Sequence, residues 1–90
     1  MKQSQDRQAR VKLYRDKYKA LKTRLRELDS KREPGAEKIT VYWFWWEYIT
    51  PLDHPVSYPA FSNIMRGRYD QERQDIIELI DRFLAGESQL

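Results

Sequence analysis

Cysteine is absent from the 90 residues, which excludes a disulfide framework and a thiolate metal site and fits a reducing compartment. Histidine occurs once, as His54 between Asp53 and Pro55, so a zinc site has no second imidazole and Asp53 reads more simply as a turn residue. The three glycines, Gly35, Gly67 and Gly86, are scattered and form no phosphate-cradling loop. No catalytic residue, metal or cofactor is therefore expected, and the chain reads as a binding protein, not an enzyme. Long apolar runs are missing too. The longest, Val41 to Trp46, falls far short of the roughly 20 residues of a membrane span. The polar stretch Met1 to Arg10 has no signal-peptide core. A soluble, cytoplasmic protein without membrane contact is the expectation.

What is present is charge and aromatic bulk. Charged residues make up 34% of the chain and hydrophobic ones 40%, enough for one small core whose six Tyr, three Trp and three Phe raise the apolar area buried per residue. The net charge of +3 is uneven. Residues 1–38 hold 13 Lys/Arg against 6 Asp/Glu, a surplus of +7, whereas residues 39–90 hold 4 against 8, a deficit of −4. A basic arm beside a compact domain suits phosphate contact, with Arg10, Lys17 and Arg24 as its candidate cations. The same arm also suits an acidic protein partner, or is simply a solvated face.

From Ser4, a candidate N-cap, to Asp29 the sequence lacks Gly and Pro and is rich in helix formers. Val11, Tyr14, Tyr18, Leu21, Leu25 and Leu28 recur at spacings of 3 and 4, a narrow packing stripe. With Val11 at a, a parallel homodimer would set Arg10 against Arg15 and Lys17 against Lys22. Both pairs repel, so the stripe is expected to pack on its own chain or in an antiparallel pair. Pro34-Gly35 marks the break between an arm, 1–33, and a core, 39–86.

Ile39 to Ile49 alternates like a strand yet also fits helical spacing. Helix is expected, capped by Thr40, because no second strand-like segment exists to pair with it. Its aromatics, from Tyr42 to Tyr48, read as core or partner contact in preference to a base-stacking platform. Pro51, Asp53, His54 and Pro55 make a loop. Ser57 is a candidate N-cap, Pro59 falls in the first turn, and a short helix from Tyr58 to Met65 or Arg66 ends at Gly67. A last helix is expected from about Gln71 to Ala85. It would bury Ile76, Ile77, Leu79, Ile80, Phe83 and Leu84, with Asp70, Glu72, Asp75, Glu78 and Asp81 solvated. The fold class is all-α: a long basic N-terminal helix plus a compact helical bundle.

Residues 56–68 read Val-Ser-Tyr-Pro-Ala-Phe-Ser-Asn-Ile-Met-Arg-Gly-Arg. This resembles the recognition half of Cro/repressor-type helix-turn-helix domains. In that pattern Val56 and Ser57 open the segment, Ala60 takes the small place and Phe61 the buried aliphatic one, Ser62, Asn63 and Ile64 follow in register, and Gly67-Arg68 closes it. With Ile77, Ile80, Phe83 and Leu84 at the family's spacing, the resemblance runs from Val56 to Leu84. It implies a bundle that inserts one helix into the major groove of double-stranded DNA, usually as a dimer, in a sequence-specific transcriptional regulator or repressor of the compact kind found in phages, plasmids and other mobile elements. Ser57, Tyr58, Ser62, Asn63, Arg66 and Arg68 would then face outward, Asn63 suiting adenine and Arg66 guanine or phosphate. The segment before it departs from the pattern: residues 43–49 are bulky and the connection from Thr50 to Val56 is long. An atypical helix-turn-helix, or a winged variant with Ile39 to Trp46 as a strand, both remain open.

Overall fold

The computed structural model describes residues 2–68 and 72–86, with side chains from residue 6 onward. The described residues are all-helical: α1 (Lys2–Ser30), α2 (Val41–Phe44) continuing into a π-helical turn (Trp45–Ile49), α3 (Tyr58–Met65) and α4 (Gln74–Leu84). No strand occurs among them, so the winged alternative with a strand over 39–46 does not hold. None of these helices is long and apolar enough to cross a membrane.

Helix α1 begins at Lys2, which places Ser4 inside the helix and not at its cap. Its stripe packs on its own chain. Tyr14, Tyr18, Leu21 and Leu25 are buried in one cluster with Phe44, Ile49, Phe61, Ile64, Met65, Ile76, Ile77 and Ile80, while Val11 and Leu28 are half-buried at the stripe's ends. Arm and bundle thus share a single core. Along α1, Val11 meets Gly67, Arg15 meets Arg66 and Tyr18 meets Phe61. Those partners descend in number, so α3 runs antiparallel to α1. Arg10, Tyr14 and Lys17 meet Glu72, Arg73 and Asp81, so α4 runs parallel to it.

The turn after α1 is held by Asp29. Its carboxylate accepts the Ile39 N–H at 3.0 Å and Arg32 Nε at 2.8 Å, and the Ile39 bond, seconded by Arg32, holds its pKa below the usual carboxylate value. Thr40 caps the next helix as its sequence suggests, accepting the Trp43 N–H at 3.1 Å. That helix then widens. Thr50 N–H donates to the Trp45 carbonyl five residues back. The next carbonyl, of Trp46, would look to Pro51, which has no N–H, and takes the Thr50 hydroxyl instead at 2.5 Å. Phe44 stacks on Tyr48 (4.8 Å, 14°) and Phe83 meets both rings edge-on, which closes the bundle between the π turn and α4.

Helix α4 starts at Gln74, later than expected, and the expected start Gln71 lies outside the described residues, as does Asp70. Ile76, Ile77 and Ile80 are buried, Leu79, Phe83 and Leu84 half-buried, and Glu72, Asp75, Glu78 and Asp81 exposed. Just ahead of it lies Arg73, buried although charged. Its N–H donates to the Tyr14 hydroxyl at 2.8 Å, and its guanidinium grips both Asp75 oxygens (3.0 and 2.9 Å) and the His54 carbonyl (2.7 Å). One arginine thereby ties α1, the 50–57 connection and the first turn of α4 together. Its fork on Asp75 pulls that carboxylate's pKa down and raises its own.

Candidate nucleic-acid interface

Helix α3 is delimited by local chemistry at both ends. The Ser57 hydroxyl accepts the Ala60 N–H at 3.2 Å and Pro59 occupies the first turn. At the other end Arg68 N–H reaches the Asn63 carbonyl and Gly67 N–H the Ile64 carbonyl, both at 3.0 Å, with Gly67 at φ +74°. This is a Schellman closure, and the left-handed residue in it is the glycine. Phe61, Ile64 and Met65 face the core, all buried. The outward stripe is Pro59, Asn63 and Arg66, spaced four and three apart, with Pro59 and Arg66 exposed and Asn63 half-buried.

The six positions in and around α3 suggested by the sequence separate on this geometry. Ser57, Arg66 and Arg68 are exposed, and Ser62 and Asn63 half-buried. Arg68 Nη1 stands 3.5 Å from the Asn63 amide oxygen. Tyr58 does not face outward. Its ring packs edge-on against Tyr42 (5.2 Å) and tilts against Trp45 (5.8 Å), because the first turn of so short a helix meets the aromatic π segment and burying that ring there gains apolar contact.

Helix α1 flanks α3 with one of its two edges. Arg15 Nε donates to the Arg66 carbonyl at 3.2 Å, a cation at the C-terminal end of α3 where helix carbonyls lack intrahelical partners. At about 100° per residue, Lys19, Lys22 and Arg26 share the arc of α1 that Arg15 occupies, all four exposed. No acidic residue falls within that arc. Lys22 also lies over the Tyr18 ring, 4.5 Å from its centre. From His54 to Arg68 the sequence holds no acidic residue either. One side of the molecule thus combines the outward stripe of α3 with a row of cations.

Arg10, Lys17 and Arg24 fall on the opposite edge of the stripe, beside α4. Arg10 pairs with Glu72 at 3.6 Å and Lys17 with Asp81, while Arg24 is half-buried. Glu72 and Asp81 are thus matched to that edge, away from the row of Arg15, Lys19, Lys22 and Arg26. Once the stripe packs on its own chain its two edges face different helices, and the acid-free row Arg15, Lys19, Lys22, Arg26 was the sequence signal for the second one.

The cleft lined by Leu52, Asp53, His54, Arg73 and Asp75 is spanned by the Arg73 clamp. Among the described residues no group of three His, Cys, Asp or Glu side chains comes together as a metal site. Compared with protein families, curated proteins and solved structures, the chain has no match in any of the three.

Proposed function

We propose that the protein binds double-stranded DNA and reads it with α3, as a transcriptional regulator of the helix-turn-helix kind. The observation that carries this reading is the acid-free row of exposed cations on α1, Arg15, Lys19, Lys22 and Arg26, joined to the C-terminal end of α3 where Arg15 donates to the Arg66 carbonyl, with Arg66 and Arg68 exposed just beyond that helix. A polyanion is attracted by clustered cations of one sign. A major groove admits one helix bearing short polar groups and arginines. On this reading the α1 cations hold phosphates, while Ser62, Asn63 and Arg66 approach base edges and Ser57, at the N-terminus of α3, adds a phosphate contact. The acidic outer face of α4 points the duplex away from that helix.

Site selection on random duplex DNA, followed by anisotropy titration of the winning sequence at several salt concentrations, tests the reading. An enriched motif and affinity that falls steeply with salt are expected, and two-fold symmetry in the motif would show that a dimer binds. No enrichment together with salt-independent binding rejects it in favour of a protein partner.

A further inference from the structure

Among the described residues two large aromatic side chains stay outside the core: Tyr42 is 53% exposed and Trp46 56%. They stand four residues apart and both lean on Trp45, at 5.4 and 5.9 Å between ring centres. Trp45 is itself fixed, its indole N–H donating to the Val56 carbonyl at 2.7 Å. The backbone beneath Trp46 is pinned by the Thr50 hydroxyl. The result is a preorganised aromatic shelf, bordered by a groove of about 230 Å³ whose lining adds Trp43, Thr40, Lys38 and Glu37 to the two rings. An exposed aromatic patch on so small a chain is an aggregation hazard unless something uses it.

We infer that this shelf stacks an unpaired nucleobase of the nucleic acid bound at α3. The inference rests on the duplex-binding function proposed for α3, and continuity links the two surfaces: Tyr42 lies edge-on to Tyr58, the first residue of α3. The groove chemistry suits a nucleotide better than an apolar peptide. Flat rings take the face of any base, the Lys38 ammonium suits its phosphate, and the Glu37 carboxylate can accept an exocyclic amino group. Both charged residues line the groove beside the aromatic rings, a polar edge that suits a nucleotide better than an apolar side chain.

The test uses the full chain with duplexes of one sequence, either blunt or carrying a short single-stranded overhang at one end or the other that contains 2-aminopurine, plus the overhang strand alone. The overhang should tighten binding about fivefold or more, the low end of stacking one base, and the probe's emission should be quenched. Trp46→Ala should remove the gain and the quenching while leaving the blunt-duplex affinity unchanged, and Trp46→Phe should retain part of both. Equal affinity for blunt and overhanging duplexes without quenching overturns the inference and leaves the duplex reading standing. Quenching of the single strand that Trp46→Ala abolishes, with no blunt-duplex binding, upholds the shelf and rejects the duplex reading. Self-association that Trp46→Ala abolishes, with no response to the overhang, gives the shelf to a second copy and overturns the inference.

Discussion

The Val11 side chain fills the space that a Cβ on Gly67 would need: its Cγ1 lies 2.6 Å from that position. Gly67 is therefore required twice, by its φ of +74° and by the helix lying across it. Gly67→Ala should cost about 1–2 kcal/mol for the left-handed conformation and about 1–3 kcal/mol more for overpacking. In a Val11→Ala background only the first penalty should remain. Urea unfolding of the four proteins in the cycle measures this, and strict additivity would show that packing against α1 does not constrain the turn.

Tyr14 holds the start of α4 through a hydrogen bond from the Arg73 N–H. Tyr14→Phe keeps the ring and removes the acceptor, leaving a buried N–H at the start of α4 without its partner. A loss of about 1–3 kcal/mol is expected. Hydrogen exchange at the Arg73 amide should speed up more than at the amides of mid-α4. Unchanged exchange there would mean that water replaces the phenol at no cost.

Asp75 sets part of the acid limb of stability. Its folded-state pKa is lowered, first by the hydrogen bonds from Arg73, so its contribution is present above the unfolded value of about 3.9. That contribution is lost as pH falls through the lower, folded value. Asp75→Asn should therefore flatten the decline of thermal stability below about pH 4, although half the side chain is exposed and solvent weakens the effect. Asp29, lowered chiefly by the Ile39 N–H, should add in the same direction. An acid limb as steep in the Asp75→Asn, Asp29→Asn double variant as in the parent would assign it to other carboxylates.

Features governed by neighbours in sequence were legible before the fold. Thr40, Ser57, Pro59 and Gly67 each act within one turn, and the 3–4 spacing of the α1 stripe needed only a partner of any kind. Arg73 was not legible, since its burial depends on a phenol 59 residues earlier and a carbonyl in the proline loop. The π turn was hidden because it shifts the Thr50 N–H to the Trp45 carbonyl, one residue beyond the α-helical partner, a change that side-chain spacing over so short a segment does not register. Tyr58 looked outward by helical spacing alone, but the aromatic segment folds over the first turn of α3. The cations of α1 were visible as a group, yet which edge faces α3 depends on the handedness of packing.

That edge yields a prediction opposite to the one the arm suggests by itself. Replacing Arg15, Lys19 and Lys22 by Gln should weaken binding to every duplex and flatten its salt dependence, by about 0.9 in log K against log salt for each phosphate that is no longer neutralised. Replacing Arg10, Lys17 and Arg24 should leave the slope nearly unchanged, since two of them face Glu72 and Asp81, and should cost stability by about 1 kcal/mol or less per pair. Equal slopes for the two triple variants would show that α1 does not lie along the phosphates.

The reading head is tested by two residues two positions apart on α3. Asn63 lies on the outward stripe between Pro59 and Arg66, where an amide is able to pair with the N6 and N7 edge of adenine, whereas Phe61 is buried against Tyr18 and Phe44. Asn63→Ala should cost about 1–3 kcal/mol at the preferred site and much less on unrelated DNA, with thermal stability nearly unchanged. Phe61→Ala removes a core ring, should cost about 3–5 kcal/mol of folding stability, and should lose binding only in step with unfolding. The contrast separates direct readout from mere integrity of the bundle, because a scaffold role at position 63 would lower stability and all duplex affinities together. If the Asn63→Ala protein, fully folded, binds its selected site as tightly as the parent does, α3 does not read bases through that amide. Specificity would then have to come from Arg66 or from the shape of the duplex.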